Sequence, residues 1–181
     1  MNLPNLISMG RLLSVPVIVW LILGERMTEA FWLFLAAGIS DALDGYLAKR
    51  MNAETTFGRY LDPLADKALL VCVYITLSQS GNIATWLVIM VVFRDTLIVG
   101  GAILFQSLTH SLSMEPYAIS KVNTLFQIIL ATVILAVLGL NLQAAWLVDA
   151  LTYAVAATTF ASGAVYAVEW SRRAATMEDQ E

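Results

Sequence analysis

The chain is poor in the residues that most often carry soluble chemistry: of 181 residues one is cysteine and one histidine, and only 13% are charged. Cys72 stands alone in an apolar run, so no internal disulfide can form, and its plain reading is a small buried hydrophobe. His110, without a second histidine or a nearby cysteine, is a poor zinc ligand and reads as a loop or interfacial residue. Ten Lys and Arg face fourteen Asp and Glu, and no basic stripe runs along the chain, which excludes nucleic acid as a partner. Part of the net charge of -4 sits in a polar acidic tail over residues 171–181, where Glu178, Asp179 and Glu181 close the chain. Internal repeats, low-complexity tracts and a second domain are also missing, so residues 1–181 read as one domain. Residues 1–8 lack a charged n-region and a small-residue cleavage pattern, so no cleavable signal peptide is expected.

What is abundant is apolar side chain, 59% of the residues, with a mean hydropathy of +0.75. A soluble domain of this length has too little core to hide so much, which predicts an all-α integral membrane protein. Residues 1–11 read as a short juxtamembrane amphipathic segment, because Asn5, Ser8 and Arg11 recur at three-residue spacing. Six transmembrane helices follow, over 12–23, 30–48, a third span ending near 79, 83–106, 117–140 and 142–170. Residues 107–116 form the longest loop. Arg11, Lys49, Arg50, Arg59, Arg172 and Arg173, with Lys121 near them, fall at one set of span ends, against Arg26 at the other. By the positive-inside rule both termini face the cytoplasm.

Within this apolar chain, Asp41, Asp44, Asp62 and Asp66 fall inside twenty-six residues. A charged group near a bilayer centre costs about 2.5–3.5 kcal/mol on insertion scales, so these four need compensating partners. At about 100° per residue, Asp41 and Asp44 share one helical face, as do Asp62 and Asp66, and two such faces opposed make a four-carboxylate cage. Divalent cations are the expected partners. Gly45, Ala48 and Gly58 lie on the same faces and leave little bulk beside the acids. Hard oxygen ligands with open positions suit magnesium carrying a substrate diphosphate. Pro63 leaves two possibilities for the third span: Asp62 caps a helix that starts at Pro63, or the helix starts earlier and bends there. Arg94 and Asp95 interrupt the fourth span, and as neighbours about 100° apart they are not expected to pair with each other. Arg94 is read as reaching a substrate phosphate or as an ion pair with another helix, and Lys121 as anchoring a phosphate or snorkelling to headgroups.

The spacing D-x2-D-G-x2-A-K-x8-G-x3-D-x3-D, from Asp41 to Asp66, resembles the signature of the CDP-alcohol phosphatidyltransferase family. Lys49 stands where the family has arginine, which keeps the charge but loses the planar fork that grips a phosphate bidentately. The resemblance implies a transferase that displaces CMP from a CDP-linked lipid or alcohol. It implies two Mg2+ or Mn2+ ions held by Asp41, Asp44, Asp62 and Asp66, with Asp66 also the general base. It further implies a CDP-binding set of Asn5, Arg11, Gly45, Ala48, Lys49 and Gly58, and a homodimer in the cell's inner membrane with the site toward the cytoplasm. Arg59, Arg94 and Lys121 remain candidates for the acceptor or a phosphate.

The Arg94-Asp95-Thr96 segment and the run from Ile119 to Thr124 look most like the CMP-forming cardiolipin synthase branch, which joins the phosphatidyl group of CDP-diacylglycerol to phosphatidylglycerol. The sister branch takes glycerol 3-phosphate and makes phosphatidylglycerophosphate. A small dianionic acceptor needs several cations near the cytoplasmic mouth, and few are available, which favours the lipid acceptor. More distant alternatives are a membrane prenyltransferase and a divalent-cation transporter. A prenyltransferase normally places its acidic motifs on well-separated helices, and a transporter has no need of small residues beside its acids.

Overall fold

A computed structural model describes residues 3–51, 56–109 and 118–178, and within them the side chains of residue 7 and of stretches 9–41, 65–101 and 118–172. Six helices and no strand occur among the described residues: α1 (Leu3–Leu23), α2 (Met27–Met51), α3 (Thr56–Gln79), α4 (Thr85–Thr109), α5 (Ala118–Gly139) and α6 (Ala145–Glu178). The all-helical expectation therefore holds for what is described. The lead-in of residues 1–11 is continuous with the first span, since α1 runs unbroken from Leu3. Of the two possibilities at Pro63, the earlier start is the one found, since α3 opens at Thr56. The last helix continues through Glu178, so most of the expected tail is helical.

Among the described residues two helical stretches, Ala118–Gly139 and Ala145–Arg172, are long and apolar enough to cross a membrane on length and composition. Helices α2 and α3 dilute their apolar residues with the acids and bases noted above. Outward faces are nonetheless greasy: Leu13, Trp32, Ile89, Phe93, Trp146, Tyr153 and Phe160 are all exposed. Exposed apolar surface on that scale marks a face built for something other than water.

Three helices stop in the same way. Glu25, Gly81 and Asn141 follow α1, α3 and α5 with positive φ (57°, 73° and 53°). Beyond each, an N–H turns back to a carbonyl five residues earlier: Arg26 to Leu21, Asn82 to Leu77 and Leu142 to Val137. This is the left-handed C-cap that satisfies carbonyls a helix end leaves open.

The chain forms two compact units. One comprises Met1–Ala84 with Ala131–Val148, the other Thr85–Leu130 with Asp149–Glu181. In the first unit α1 packs on both α2 and α3. Its core follows three stripes, each stepping by three and four residues. Val15, Ile18 and Ile22 are buried on α1, Ala30, Phe34 and Ala37 on α2, and Leu70, Val73 and Leu77 on α3. Such spacing keeps side chains on one helical face, so each stripe is the contact face of its helix. Where α2 begins, Gly139 of α5 lies so close that a Cβ there would meet the Met27 carbonyl oxygen at 2.8 Å. The Thr28 hydroxyl donates to the Gly139 carbonyl across the same seam at 2.6 Å.

The second unit is organised differently. Leu87, Val88, Val91, Leu130 and Val155 are buried, but so are Arg94, Asp95, Asn123, Gln127, Thr159 and Ser162. A polar seam runs beside the buried apolar residues, while Ile89, Phe93, Tyr153 and Phe160 are exposed.

Candidate active site

Each stripe of the first unit ends in a charge. Arg11 lies four residues before Val15 and continues the stripe of α1; Asp41 lies four after Ala37 on α2; Asp66 lies four before Leu70 on α3. Packing the stripes together therefore carries all three charges to one place. There the Arg11 guanidinium donates through Nη1 to Asp41 Oδ1 at 2.6 Å and, through the same nitrogen, to Asp66 Oδ1. The arginine side chain is 1% exposed, whereas those of Asp41 and Asp66 are 43% and 41% exposed. The cation is sealed in and its partners are half open.

Beside this cluster, between α1 and α2, is a cavity of about 230 Å³ lined by Ile7, Gly10, Arg11, Ser14, Leu33, Ala36, Ala37 and Ser40. Two serines give it polar walls. Their hydrogens are committed to the backbone, Ser14 Oγ donating to the Arg11 carbonyl and Ser40 Oγ to that of Ala36, both at 2.7 Å.

Of the expected metal ligands, the structure brings Asp41 and Asp66 together from neighbouring helices, as two opposed acidic faces require. Asp44 and Asp62 sit on α2 and α3, but their side chains lie outside the described residues, as do those of Asn5, Gly45, Ala48, Lys49, Gly58 and Arg59. Among the described residues no group of three or more His, Cys, Asp and Glu is gathered. The two acids that are described fit a hard divalent ion by chemistry and by placement. Both are carboxylates, and both aim an Oδ1 at one point now held by a single nitrogen. Magnesium takes such oxygens at about 2.0–2.1 Å and usually needs only one or two carboxylates besides waters and phosphates.

Arg94 takes up protein partners that the sequence did not name. It is buried on α4 in the second unit, 3% exposed. Its Nη1 donates to Asp95 Oδ1 at 2.6 Å, its Nη2 to Ser120 Oγ on α5 at 2.5 Å, and its Nε and Nη2 to Ser162 Oγ on α6 at 3.0 and 2.6 Å. The expectation that Arg94 and Asp95 do not pair is thus wrong. A guanidinium on a three-carbon stem can fold back across one helical step, and its five donors let it serve two further helices at the same time. Deeper in the seam, Asn123 Oδ1 accepts from the hydroxyls of Thr158 and Thr159 at 2.8 and 2.9 Å. Lys121 is exposed near the start of α5.

The role of Arg11 as partner of both acids was missed from the sequence. The signal was there: counting by four, three and four through the apolar residues of α1 lands on Arg11, whereas the three-residue polar spacing of Asn5, Ser8 and Arg11 draws the eye to a surface face.

Geometry and fold together define a helical protein in which carboxylates from consecutive helices converge on one buried arginine. A sequence profile of the CDP-alcohol phosphatidyltransferase family matches residues 1–165, and the chain belongs to that family. It is 38% identical over 188 residues to the chloroplastic CDP-diacylglycerol–glycerol-3-phosphate 3-phosphatidyltransferase 1 of Oryza sativa subsp. japonica, covering 94% of this chain and 57% of that protein. It is 34% identical over 181 residues to the CMP-forming cardiolipin synthase of Rattus norvegicus, covering 88% and 60%. A CDP-diacylglycerol–glycerol-3-phosphate 3-phosphatidyltransferase of Aquifex aeolicus is 34% identical over 129 residues, covering 70% and 71%. The chain thus spans less than two thirds of the length of the rice and rat relatives.

Proposed function

We propose that this protein transfers the phosphatidyl group of CDP-diacylglycerol to the free hydroxyl of phosphatidylglycerol, forming cardiolipin and releasing CMP. The observation that carries the reading is the convergence of Asp41 and Asp66 on one guanidinium nitrogen, which places acids of two neighbouring helices within reach of one small cation. Asp41, Asp44, Asp62 and Asp66 are the residues that would hold two Mg2+ or Mn2+ ions. When bound, such ions neutralise the diphosphate and the charge that builds on the leaving CMP.

The chain's own groups do the rest. Asp66 takes the proton of the acceptor hydroxyl, for which it must approach that oxygen to about 2.6–3.2 Å directly or through one water. The acceptor oxygen bonds to the phosphorus that carries the diacylglycerol, the bond from that phosphorus to the bridging oxygen breaks, and CMP leaves with the electron pair. Partial exposure of both carboxylates keeps the route to them open. Gly45, Ala48 and Gly58 are the small positions that would admit the nucleotide, with Asn5, Arg11 and Lys49 around it.

The second unit bears on the acceptor. Arg94 already has its donors committed to Asp95, Ser120 and Ser162, which makes it a poor extra cation for a small dianion. Lys121 and Arg59 are then the remaining candidates for acceptor contacts, and so few cations favour a lipid with a single phosphodiester charge. Glycerol 3-phosphate is the second reading, favoured by what the rice and Aquifex relatives are named for.

In this reading all six helices span the membrane. Their lengths of 21 to 34 residues reach the roughly 20 residues that a crossing takes. Exposed Trp32, Phe93, Trp146 and Phe160 would face lipid. The membrane is the cell's inner membrane, both termini and the acids face the cytoplasm, and the protein is a homodimer. Purified protein incubated with Mg2+ or Mn2+, CDP-diacylglycerol and either acceptor decides the chemistry by product mass. Cardiolipin with CMP is the expected result; phosphatidylglycerophosphate without cardiolipin moves the chain to the second reading.

A further inference from the structure

The Arg11 cluster is built unlike a structural ion pair. Among the described residues one cation faces two anions, the cation is sealed, and the anions are half exposed. A salt bridge kept only for stability inside an apolar bundle gains most when every partner is closed off and hydrogen-bonded, which is how Arg94 and Asp95 are kept, at 3% and 8% side-chain exposure. Two carboxylates brought together repel, and the Arg11 guanidinium between them offsets that repulsion.

The same nitrogen occupies the point where the two Oδ1 atoms converge, so a divalent ion cannot take those oxygens while the guanidinium keeps them. The cavity beside Arg11 offers it another place. Its roughly 230 Å³ is several times the share of about 30 Å³ that one water takes in the liquid, ample for a guanidinium. Ser14 and Ser40 have spent their hydrogens on backbone carbonyls, and each oxygen keeps lone pairs that accept from N–H groups.

We infer that Arg11 is the resident cation of the acid pair: it holds Asp41 and Asp66 when no divalent ion is bound, and ion binding is an exchange in which its guanidinium withdraws into the Ser14–Ser40 cavity. The inference rests on the reading of Asp41 and Asp66 as ion ligands. Its consequence is that the intrinsic affinity of the acids for the ion is reduced by the work of dislodging Arg11, as for any ligand that binds only a minor state. A purely structural Arg11 predicts the reverse, since its loss would disorder the acids and weaken ion binding.

The test is Mn2+ titration of the ion-free, full-length protein in detergent, with free Mn2+ read by electron paramagnetic resonance and folding by circular dichroism. Wild type is compared with Arg11→Gln, which keeps hydrogen-bonding capacity without charge, and with Arg11→Lys, whose point charge spans two carboxylates less well. Arg11→Gln is expected to tighten Mn2+ binding about tenfold, with Arg11→Lys in between, and the rise in Tm on adding Mn2+ should be largest for Arg11→Gln. Equal or weaker Mn2+ binding in folded Arg11→Gln overturns the inference; should that variant not fold, the same result in Arg11→Lys does so. If wild type and both variants bind no Mn2+ at all, the ion-ligand reading falls, and the exchange falls with it.

Discussion

Two buried arginines, one in each compact unit, show how the surroundings of one side chain decide what it is for. Arg11 and Arg94 are both 3% exposed. Around Arg94 the carboxylate of Asp95 and the hydroxyl of Ser162 are closed off, Ser120 is half-buried, and one carboxylate balances one guanidinium. Around Arg11 the charges do not balance within the described cluster, and the carboxylates open outward. A saturated cluster can only be broken, whereas an open one can exchange partners. The difference separates a polar clamp that ties α4, α5 and α6 from a site that has work to do.

The largest expected effect bears on the open cluster. Asp66→Asn should cost about 10²–10⁴ in turnover, the usual worth of a positioned base, while the protein stays folded because Arg11 keeps Asp41. Transferase assays and circular dichroism on the same preparation check both halves; near-normal turnover would remove Asp66 as the base. Next comes the closed cluster. Arg94→Ala removes the guanidinium that Asp95, Ser120 and Ser162 share inside the second unit and should destabilise by about 3–5 kcal/mol, read as a lowered Tm. A loss of turnover with unchanged Tm would instead make Arg94 part of the site and erase the contrast.

Smaller effects sharpen the same contrast. Asn123 is buried, and its Nδ2 has no hydrogen-bond partner among the described residues. Thr158 already shares the Ala154 and Val155 carbonyls, and Thr159 can turn to the carbonyl of Val155 one helical turn back. Asn123→Leu removes an unsatisfied donor as well as an acceptor, so its net effect on stability should stay within about 1 kcal/mol by thermal denaturation. The smallest effect belongs to a fully exposed pair. The Arg26 side chain donates to Glu29 and holds that carboxyl below its ordinary value of 4.5. A lowered acid contributes stability above the unfolded value and loses it as pH falls through the folded one. Glu29→Gln should therefore lower Tm slightly at pH 7 and leave it unchanged at acid pH, so that the acid limb flattens.

Much of this was legible beforehand, for identifiable reasons. The spacing of Asp41, Asp44, Asp62 and Asp66 announces two acidic helical faces, and the comparisons bear out the family that the spacing resembles. Helix positions followed from apolar runs broken by short polar turns. Helix ends were less readable. Asn141 and Gly81 are ordinary residues for a left-handed cap, but nothing in the identity of Glu25 marks it as one. The fate of long cationic side chains was least legible. An arginine reaches far enough that its partner is set by three-dimensional packing, so Arg94 turned to its own neighbour and Arg11 crossed to two other helices. Sequence spacing locates the stem of such a residue and says little about its head.

The close seam at Gly139 has a mechanical consequence for the acids. It pins the beginning of α2, while Asp41 rides the same helix fourteen residues further on, about 21 Å away at 1.5 Å per residue. The seam is a fulcrum and the helix a lever arm: a tilt of about 5° there swings Asp41 through roughly 2 Å, comparable to a single metal–oxygen bond.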